Sequence, residues 1–325
     1  MSKRLRLFGV WGALCLIAVA SIGLARVHAA DPPPTQGIQI SPVLIDLNAE
    51  KSNSYSLKIT VTNVTAGDLA LKQVVNDFRA KDETGNPEVI LDDTEPASGF
   101  SFKNWVSLPP SIVLKSKESR VINATVNVPD DAEAGGHYGV IRFSGVAPGE
   151  ENANVSIAAS VGVLVLARVN GTISESLKLK DFYAERNGKK TGLLQNGPLQ
   201  IVERVENDGN VHVKPKGTIT VKNMFGSTVL TTPISDPAKN ILPKSTRKFS
   251  QDIKQKWMFG RYTARLDATY GYGNKVLSGS FSYWVIPYKL ILLVLLVLTI
   301  FIVGLRFGLK RYNEKIINKA MNRRR

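Results

Sequence analysis

Apolar and polar residues alternate along most of this chain with a period of two, the spacing that lets an extended strand bury one face. Tyr55, Leu57, Ile59 and Val61 hold one side of a run that ends at Asn63. The run carrying Ile38, Ile40, Val43 and Ile45 is broken by Ser41-Pro42. Proline has no N–H to give a ladder, so this break predicts an edge strand or a bulge. Leu69, Leu71 and Val74-Val75 resume the pattern after an Ala66-Gly67-Asp68 turn. Phe102 and Trp105 lead into further strands at 106–108, 111–115, 120–128 and 136–143. Residues 155–169 are apolar and rich in valine, which predicts one or two strands buried on both faces.

Near the C-terminus the period disappears. From Leu290 to Leu305 no residue is charged and the only hydroxyl is Thr299. As a helix, Val285 to Leu305 would span about 30 Å, the hydrocarbon thickness of a bilayer. Lys289 lies one turn inside that span, from which its ammonium reaches the interface. Tyr283, Trp284 and Tyr288 fall where an outer aromatic belt belongs, and Phe307 and Tyr312 where an inner one belongs. Arg306, Lys310 and Arg311 follow at once. A buried helix of a soluble core does not account for so long an apolar run between aromatic and basic flanks. Residues 284–305 are therefore expected to be a single transmembrane helix.

The first thirty residues repeat this logic on a smaller scale. Lys3, Arg4 and Arg6 precede an apolar run from Phe8 to Ile22, and Val27-His28-Ala29 offers small residues for a signal peptidase. A signal peptide cleaved after Ala29 is expected, the rival being an uncleaved helix that is short for a span. Cys15 lies inside the apolar run behind Leu14, which does not suit a lipoprotein site. Without that segment no cysteine remains, so the exported part must hold itself together by core packing alone.

The chain carries a formal charge of +15, but four cations of the first thirty residues and a net +7 beyond Leu305 leave only +4 for the long middle. The positive charge thus marks two cytoplasmic flanks and argues against a nucleic-acid partner. Residues 31 to about 283 are expected outside a cell membrane, with the 306–325 tail inside. In that tail Leu305, Leu309, Tyr312, Ile316 and Ala320 recur at helical spacing against basic residues. The tail is suited either to lie along anionic lipid or to stand solvated.

The exported half repeats itself. Leu199–Asn207 resembles the strand ending at Asn63, Ile241-Leu-Pro-Lys-Ser resembles Val113-Leu-Lys-Ser-Lys, and Gly260-Arg-Tyr resembles Gly136-His-Tyr. These matches keep their order at offsets of 144, 128 and 124, the pattern of a duplicated unit, although chance likeness between strand-rich domains is the alternative. The expected fold class is an all-β ectodomain of two tandem Ig-like β-sandwich domains plus one C-terminal transmembrane α-helix. The expected divisions are a Pro-rich leader at 30–37, sandwiches at 38–170 and 171–283, the helix, and a basic tail. Each Gly-x-Tyr is expected to bond its hydroxyl to a nearby backbone carbonyl, as in tyrosine corners.

Candidate chemistry is sparse. His137 and His212 are the only histidines of the exported part, and neither has a second ligand at metal-binding spacing. His212, between Val211 and Val213, is expected to face outwards. No nucleophile elbow, phosphate loop or zinc motif occurs. Asp77, Asp82, Glu83, Asp92, Asp93 and Glu95 gather in one stretch, and Asp130, Asp131 and Glu133 in another, without the spacing of an EF-hand loop. Asn63, Asn123, Asn154 and Asn170 stand in Asn-x-Ser/Thr triplets, of which at least Asn123 and Asn154 fall inside predicted strands. Neither an enzyme nor a cofactor is expected.

The order of segments resembles the WxL-interacting proteins of Gram-positive cell surfaces. The resemblance runs from about Ile38 to Arg311 and is carried by Ile40-Ser-Pro-Val-Leu, by Trp105-Val-Ser-Leu-Pro and by the stretch from Val128-Pro-Asp to Gly136-His-Tyr. It implies a peptidoglycan-binding first domain and a second domain that binds another surface or host protein. No Trp-x-Leu motif is present, so the chain is expected to be the anchored interactor. Trp105, Tyr138 and Phe143 are the candidate ligand surface, with core or corner positions as the alternative for Trp105 and Tyr138. Edge-strand addition, as a chaperone or assembly module for secreted subunits uses it, is a second expected mode of binding. An exported hydrolase is the remaining rival.

Overall fold

The structure is a computed structural model that describes residues 37–92, 98–109, 111–146 and 160–322. The expected signal peptide, the leader apart from Gly37, Asp93, Glu95 and Asn154 lie outside the described residues. The strands of the first half are β1 (Ile38–Ser41), β2 (Leu44–Ala49), β3 (Ser54–Asn63), β4 (Leu69–Ala80), β5 (Pro87–Val89), β6 (Val106–Ser107), β7 (Ile112–Leu114), β8 (Ser119–Asn127), β9 (Gly135–Val146) and β10 (Val161–Val169). One sheet has the order β1-β3-β8-β6, the facing one β2-β10-β9-β4-β5, with β7 also on β4.

The second half holds β11 (Leu177–Arg186), β12 (Lys189–Lys190), β13 (Leu193–Leu194), β14 (Leu199–Asn207), β15 (Lys216–Asn223), β16 (Thr228–Pro233), β17 (Ser245–Ile253), β18 (Gly260–Tyr270) and β19 (Lys275–Val285). They form sheets β12-β11-β14-β17 and β13-β19-β18-β15-β16. Both halves are all-β sandwiches of the Ig-like kind.

The same device closes each sandwich. In the first, the chain leaves β3 at Ser41-Pro42, where proline ends the ladder, and continues as β2 parallel to β10 on the other sheet. In the second, β13 runs parallel to β19 in the corresponding place. The internal likeness extends to side chains. Asn63 is fully buried at the end of β3, where its amide donates to the carbonyls of Gly67, Leu114 and Lys115. Asn207, fully buried at the end of β14, donates to Val211 and Ile241 and accepts from the Gly209 N–H. Each Asn ties the turn after its strand to the segment that will start another.

Burial follows the period-two pattern. Leu57, Ile59 and Val61 meet Ile122, Ala124 and Val126 in the first core. In β18, Tyr262, Ala264, Leu266 and Ala268 alternate with exposed residues to line the second core. β19 keeps its pairing as far as Val285, opposite Gly260. Tyr283 is therefore a core residue, 1% exposed and stacked on Tyr262 at 5.6 Å, and not part of an aromatic belt. Trp284, on the opposite face, stays half exposed. Hydropathy alone does not separate the last buried strand residues from the start of a helix, and the helix begins at Tyr288 and not at the expected Trp284.

The helix α1 (Tyr288–Asn322) follows Ile286-Pro287. It is long and apolar enough to cross a membrane from Tyr288 onwards. It continues as one α-helix through Arg306, Lys310 and Arg311 to Asn322.

Candidate functional site

The two sandwiches meet through loops at facing ends. Gly135 opens β9 with a φ of 131°, a conformation that glycine tolerates and that brings the backbone of Asn210 against it. The Gly136 N–H donates to the Asn210 carbonyl at 2.8 Å. The Asn210 side-chain amide donates to Ala134 and Thr172, while its Oδ1 accepts from the Ser174 N–H. One asparagine thus joins the first sandwich, the connecting segment and the second.

Beside this joint, Tyr138 points away from the first core into a small cluster with Phe78, Val140 and Leu166, on which Leu242 of the second sandwich packs. Its hydroxyl lies 3.2 Å from His212 Nδ1, and the two rings meet edge to face at 5.6 Å. His212 does face outwards from its own core, but into the neighbouring sandwich. Burial lowers its pKa from 6.5 to about 4, against a smaller opposing pull from Asp46. Further along, Glu83 of the β4–β5 loop pairs with Arg204, which also donates to Asp181 at 2.6 Å. The Glu83 carbonyl accepts from the Lys248 N–H and so covers part of the β17 edge.

A neutral His212 gives the joint a pH dependence with a definite sign. Its folded pKa lies below the unfolded one, so the unfolded state takes up the extra proton and stability falls as pH drops from 6.5 towards 4. The expected loss is about 3 kcal/mol, read as faster amide exchange at Gly136 after correction for the intrinsic rate. In His212→Gln that acid slope should vanish. An unchanged slope would assign it to another group.

Two hollows flank the joint. The first, of about 460 Å³, lies among Asp46, Asn48, Arg168, Lys214, Lys216 and Tyr272. Arg168 is held there by Glu175 at 2.8 Å and lies over the Tyr272 ring. The second, of about 270 Å³, is more apolar, with Phe78, Phe100, Tyr138, Leu242 and Pro243 in its wall.

The expected aromatic surface is not assembled. Phe143 is fully buried in the first core and Tyr138 is 2% exposed at the joint. Trp105 is half-buried against Phe102, with its ring 4.2 Å from that of His137 and tilted by 44° to it. All three side chains are spent on packing, and no shared face remains. The tyrosine-corner expectation also changes. Tyr138 meets a histidine side chain, and the Tyr262 hydroxyl accepts from the Phe259 N–H, so neither bonds a carbonyl. His137 has both ring nitrogens 2.9 Å from backbone carbonyls, those of Ser101 and Glu133. The acidic stretch is dispersed as well. Asp77 accepts from the backbone N–H groups of Phe102 and Lys103, whereas Asp82 closes its own turn with Thr84.

A free sheet edge borders the first hollow. β2 has β10 on one side, and among the described residues no backbone group pairs with the other. The carbonyls of Val43 and Ala49 face β10. Parallel ladders use alternate residues, so Leu44, Asp46 and Asn48 turn their N–H and C=O groups to the open side. Val43 is 67% and Leu44 39% exposed. Neither lysine nor proline interrupts β2, in contrast to β16, which ends in Pro233, and β17, which carries Arg247 and Lys248. The Ser41-Pro42 break is visible in the sequence but the edge after it is not, since a lone strand does not show which neighbour it will lack.

No family model matches the chain, and no curated protein matches it. Among solved structures it is similar to the class 5 fimbriae chaperone CfaA, at 16% identity over 75% of this chain and 98% of that one, with a TM-score of 0.35. The YadV chaperone is 13% identical over 76% of this chain and 100% of its own, with a TM-score of 0.37. The E. coli chaperone DraB is 14% identical over 76% and 96%, with a TM-score of 0.35. All three likenesses are distant.

Proposed function

We propose that this chain is a membrane-anchored, non-catalytic binding protein of the cell surface that takes an extended segment of another exported polypeptide onto the free edge of β2. The observation that supports it is the edge itself, with Leu44, Asp46 and Asn48 presenting open backbone groups beside the exposed side chains of Val43 and Leu44. Strand addition draws affinity from such backbone groups and selectivity from neighbouring pockets. The hollow lined by Asp46 and Asn48 is the adjacent pocket here. α1 is the anchor, with Arg306, Lys310 and Arg311 on the cytoplasmic side and both sandwiches outside. Membership of the WxL-interacting proteins belongs to the same proposal. Its cell-wall ligand has less support, because Trp105, Tyr138 and Phe143 do not form a face.

The test uses the full chain in its own membranes, with a photo-crosslinking residue in place of Val43. A polypeptide adduct is expected, reduced severalfold when Asn48→Pro removes an outward N–H without touching a β2–β10 bond. An adduct that survives this change undiminished, or one made only with wall glycan, would overturn strand addition.

A further inference from the structure

The end of the second sandwich from which α1 leaves is unlike the rest of the surface. Outside α1, the exposed large aromatics among the described residues are Phe225, Trp257, Phe259, Tyr272 and Trp284. Four of these five, all but Tyr272, lie at that one end. Two loops and the end of β19 bring them together. Trp284 pairs with Arg261 across the last rungs of β18 and β19, and its N–H donates to Gly192, beside the exposed Leu193. Asn223 pairs with Tyr262, so the β15–β16 turn carrying Met224 and Phe225 projects at the same level, with Met224 against Gly260. The β17–β18 loop, Lys254 to Phe259, is held there by the Gly197 N–H donating to Lys256. Phe225 is 80% and Trp257 82% exposed. Lys189, Lys190, Lys254 and Lys256 are exposed around them.

Only Ile286 and Pro287 separate β19 from α1. Two extended residues span about 7 Å, and the headgroup layer on each side of a bilayer is roughly as deep. These loops therefore cannot stand clear of the lipid if α1 crosses it. Trp and its neighbours in an interfacial belt favour that layer, and lysines are drawn to anionic headgroups. We infer that this end of the second sandwich is itself a bilayer-docking surface. Phe225, Trp257 and Phe259 enter the outer headgroup layer, and Lys254 and Lys256 meet lipid phosphates. The sandwich is then held in one orientation, and not merely tethered. This inference rests on reading α1 as a membrane span.

The test is made on the full chain with Cys15→Ser, which removes its only cysteine. Single changes Phe225→Cys, Trp257→Cys, Tyr272→Cys and Val294→Cys are each labelled with a nitroxide. The labelled chains are reconstituted in vesicles of phosphatidylcholine and phosphatidylglycerol, and collision with a water-soluble nickel chelate and with oxygen is measured. At 225 and 257 the chelate accessibility should fall severalfold below that at 272, with oxygen accessibility raised, while 294 is shielded throughout. If 225 and 257 are as accessible as 272 while 294 is shielded, docking fails and the span stands. If 294 is also accessible, the span fails and docking with it. Shielding at 225 and 257 that disappears at one copy per nanodisc would assign the patch to a second copy and overturn the lipid reading.

Discussion

Replacing Glu203 with leucine should raise the unfolding temperature, with a gain that widens as pH rises through neutrality. Glu203 lies between Ile201 and Val205 on β14, and strand periodicity puts all three on the core face. Its cross-strand neighbours are Phe182 and Phe249. The residue is fully buried, and neither carboxylate oxygen has a hydrogen-bond partner. Burial accordingly lifts its pKa from 4.5 to about 8. Below 4.5 both folded and unfolded chains hold the proton, and the carboxyl costs only its missing hydrogen bonds. Between 4.5 and about 8 the unfolded chain releases a proton that the folded chain keeps, so stability falls with rising pH and levels off above that window. The full titration is worth up to about 5 kcal/mol, and the unmet hydrogen bonds another 1–3 kcal/mol or so.

Two variants separate these contributions in thermal unfolding of the detergent-solubilised chain. Glu203→Gln keeps a polar group but cannot ionise, so its advantage over the natural chain should be small in acid and large at alkaline pH. Glu203→Leu should be more stable at every pH. The opposing acid slope from His212 is common to all three proteins and cancels in the differences. A natural chain and Glu203→Gln that lose stability in parallel would show that this carboxyl does not titrate in the window.

Asn207→Ala is the second large effect expected, in the opposite direction. The substitution strands the Val211 carbonyl and the Gly209 N–H inside the second sandwich and leaves the Ile241 carbonyl with only the Val213 N–H. At about 1–3 kcal/mol for each unmet buried group, a loss of roughly 4 kcal/mol is expected. Asn207→Asp should not rescue it, because a carboxylate can still accept from Gly209 but faces two carbonyl oxygens with no donor. Asn63→Ala should cost a similar amount in the first sandwich, and the two effects should add, since the residues share no partner. A loss below about 1 kcal/mol at Asn207 would mean that water takes over its carbonyls and that the turn is not pinned from inside.

The duplicated asparagines were legible because a strand ending in Asn before a small turn occurs twice, and each asparagine acts within its own sandwich. The joint was not legible in that way. Arg204 and Glu83 are 121 residues apart, and Tyr138 and His212 are 74 apart. Tyr138 stands out locally only as part of a Gly-x-Tyr, and none of the four carries a local signal for the partner it meets. The aromatic patch beside α1 was missed for the same reason. Phe225, Trp257 and Trp284 occur in three segments, each with only one or two exposed aromatics, and the antiparallel registers of β15, β18 and β19 unite them.

What the sequence determined by itself is whatever depends on neighbours along the chain. A period of two marks the strands, and loss of that period with loss of charge marks α1. Proline at Ser41-Pro42 marks the place where the first strand leaves its sheet. Tertiary structure decided which face of each strand is covered, and by what. Tyr138 and Phe143 stand five residues apart on β9 and so face opposite ways, and both faces are covered, Phe143 by its own core and Tyr138 by the second sandwich, which packs on the outer face of that sheet. Tyr283 and Trp284 are adjacent, and the stacking of Tyr262 buries one while the other is left exposed at the end from which α1 leaves. Alternation tells which residues share a side. Only the assembled sheets say whether that side meets a core, another domain, lipid or water.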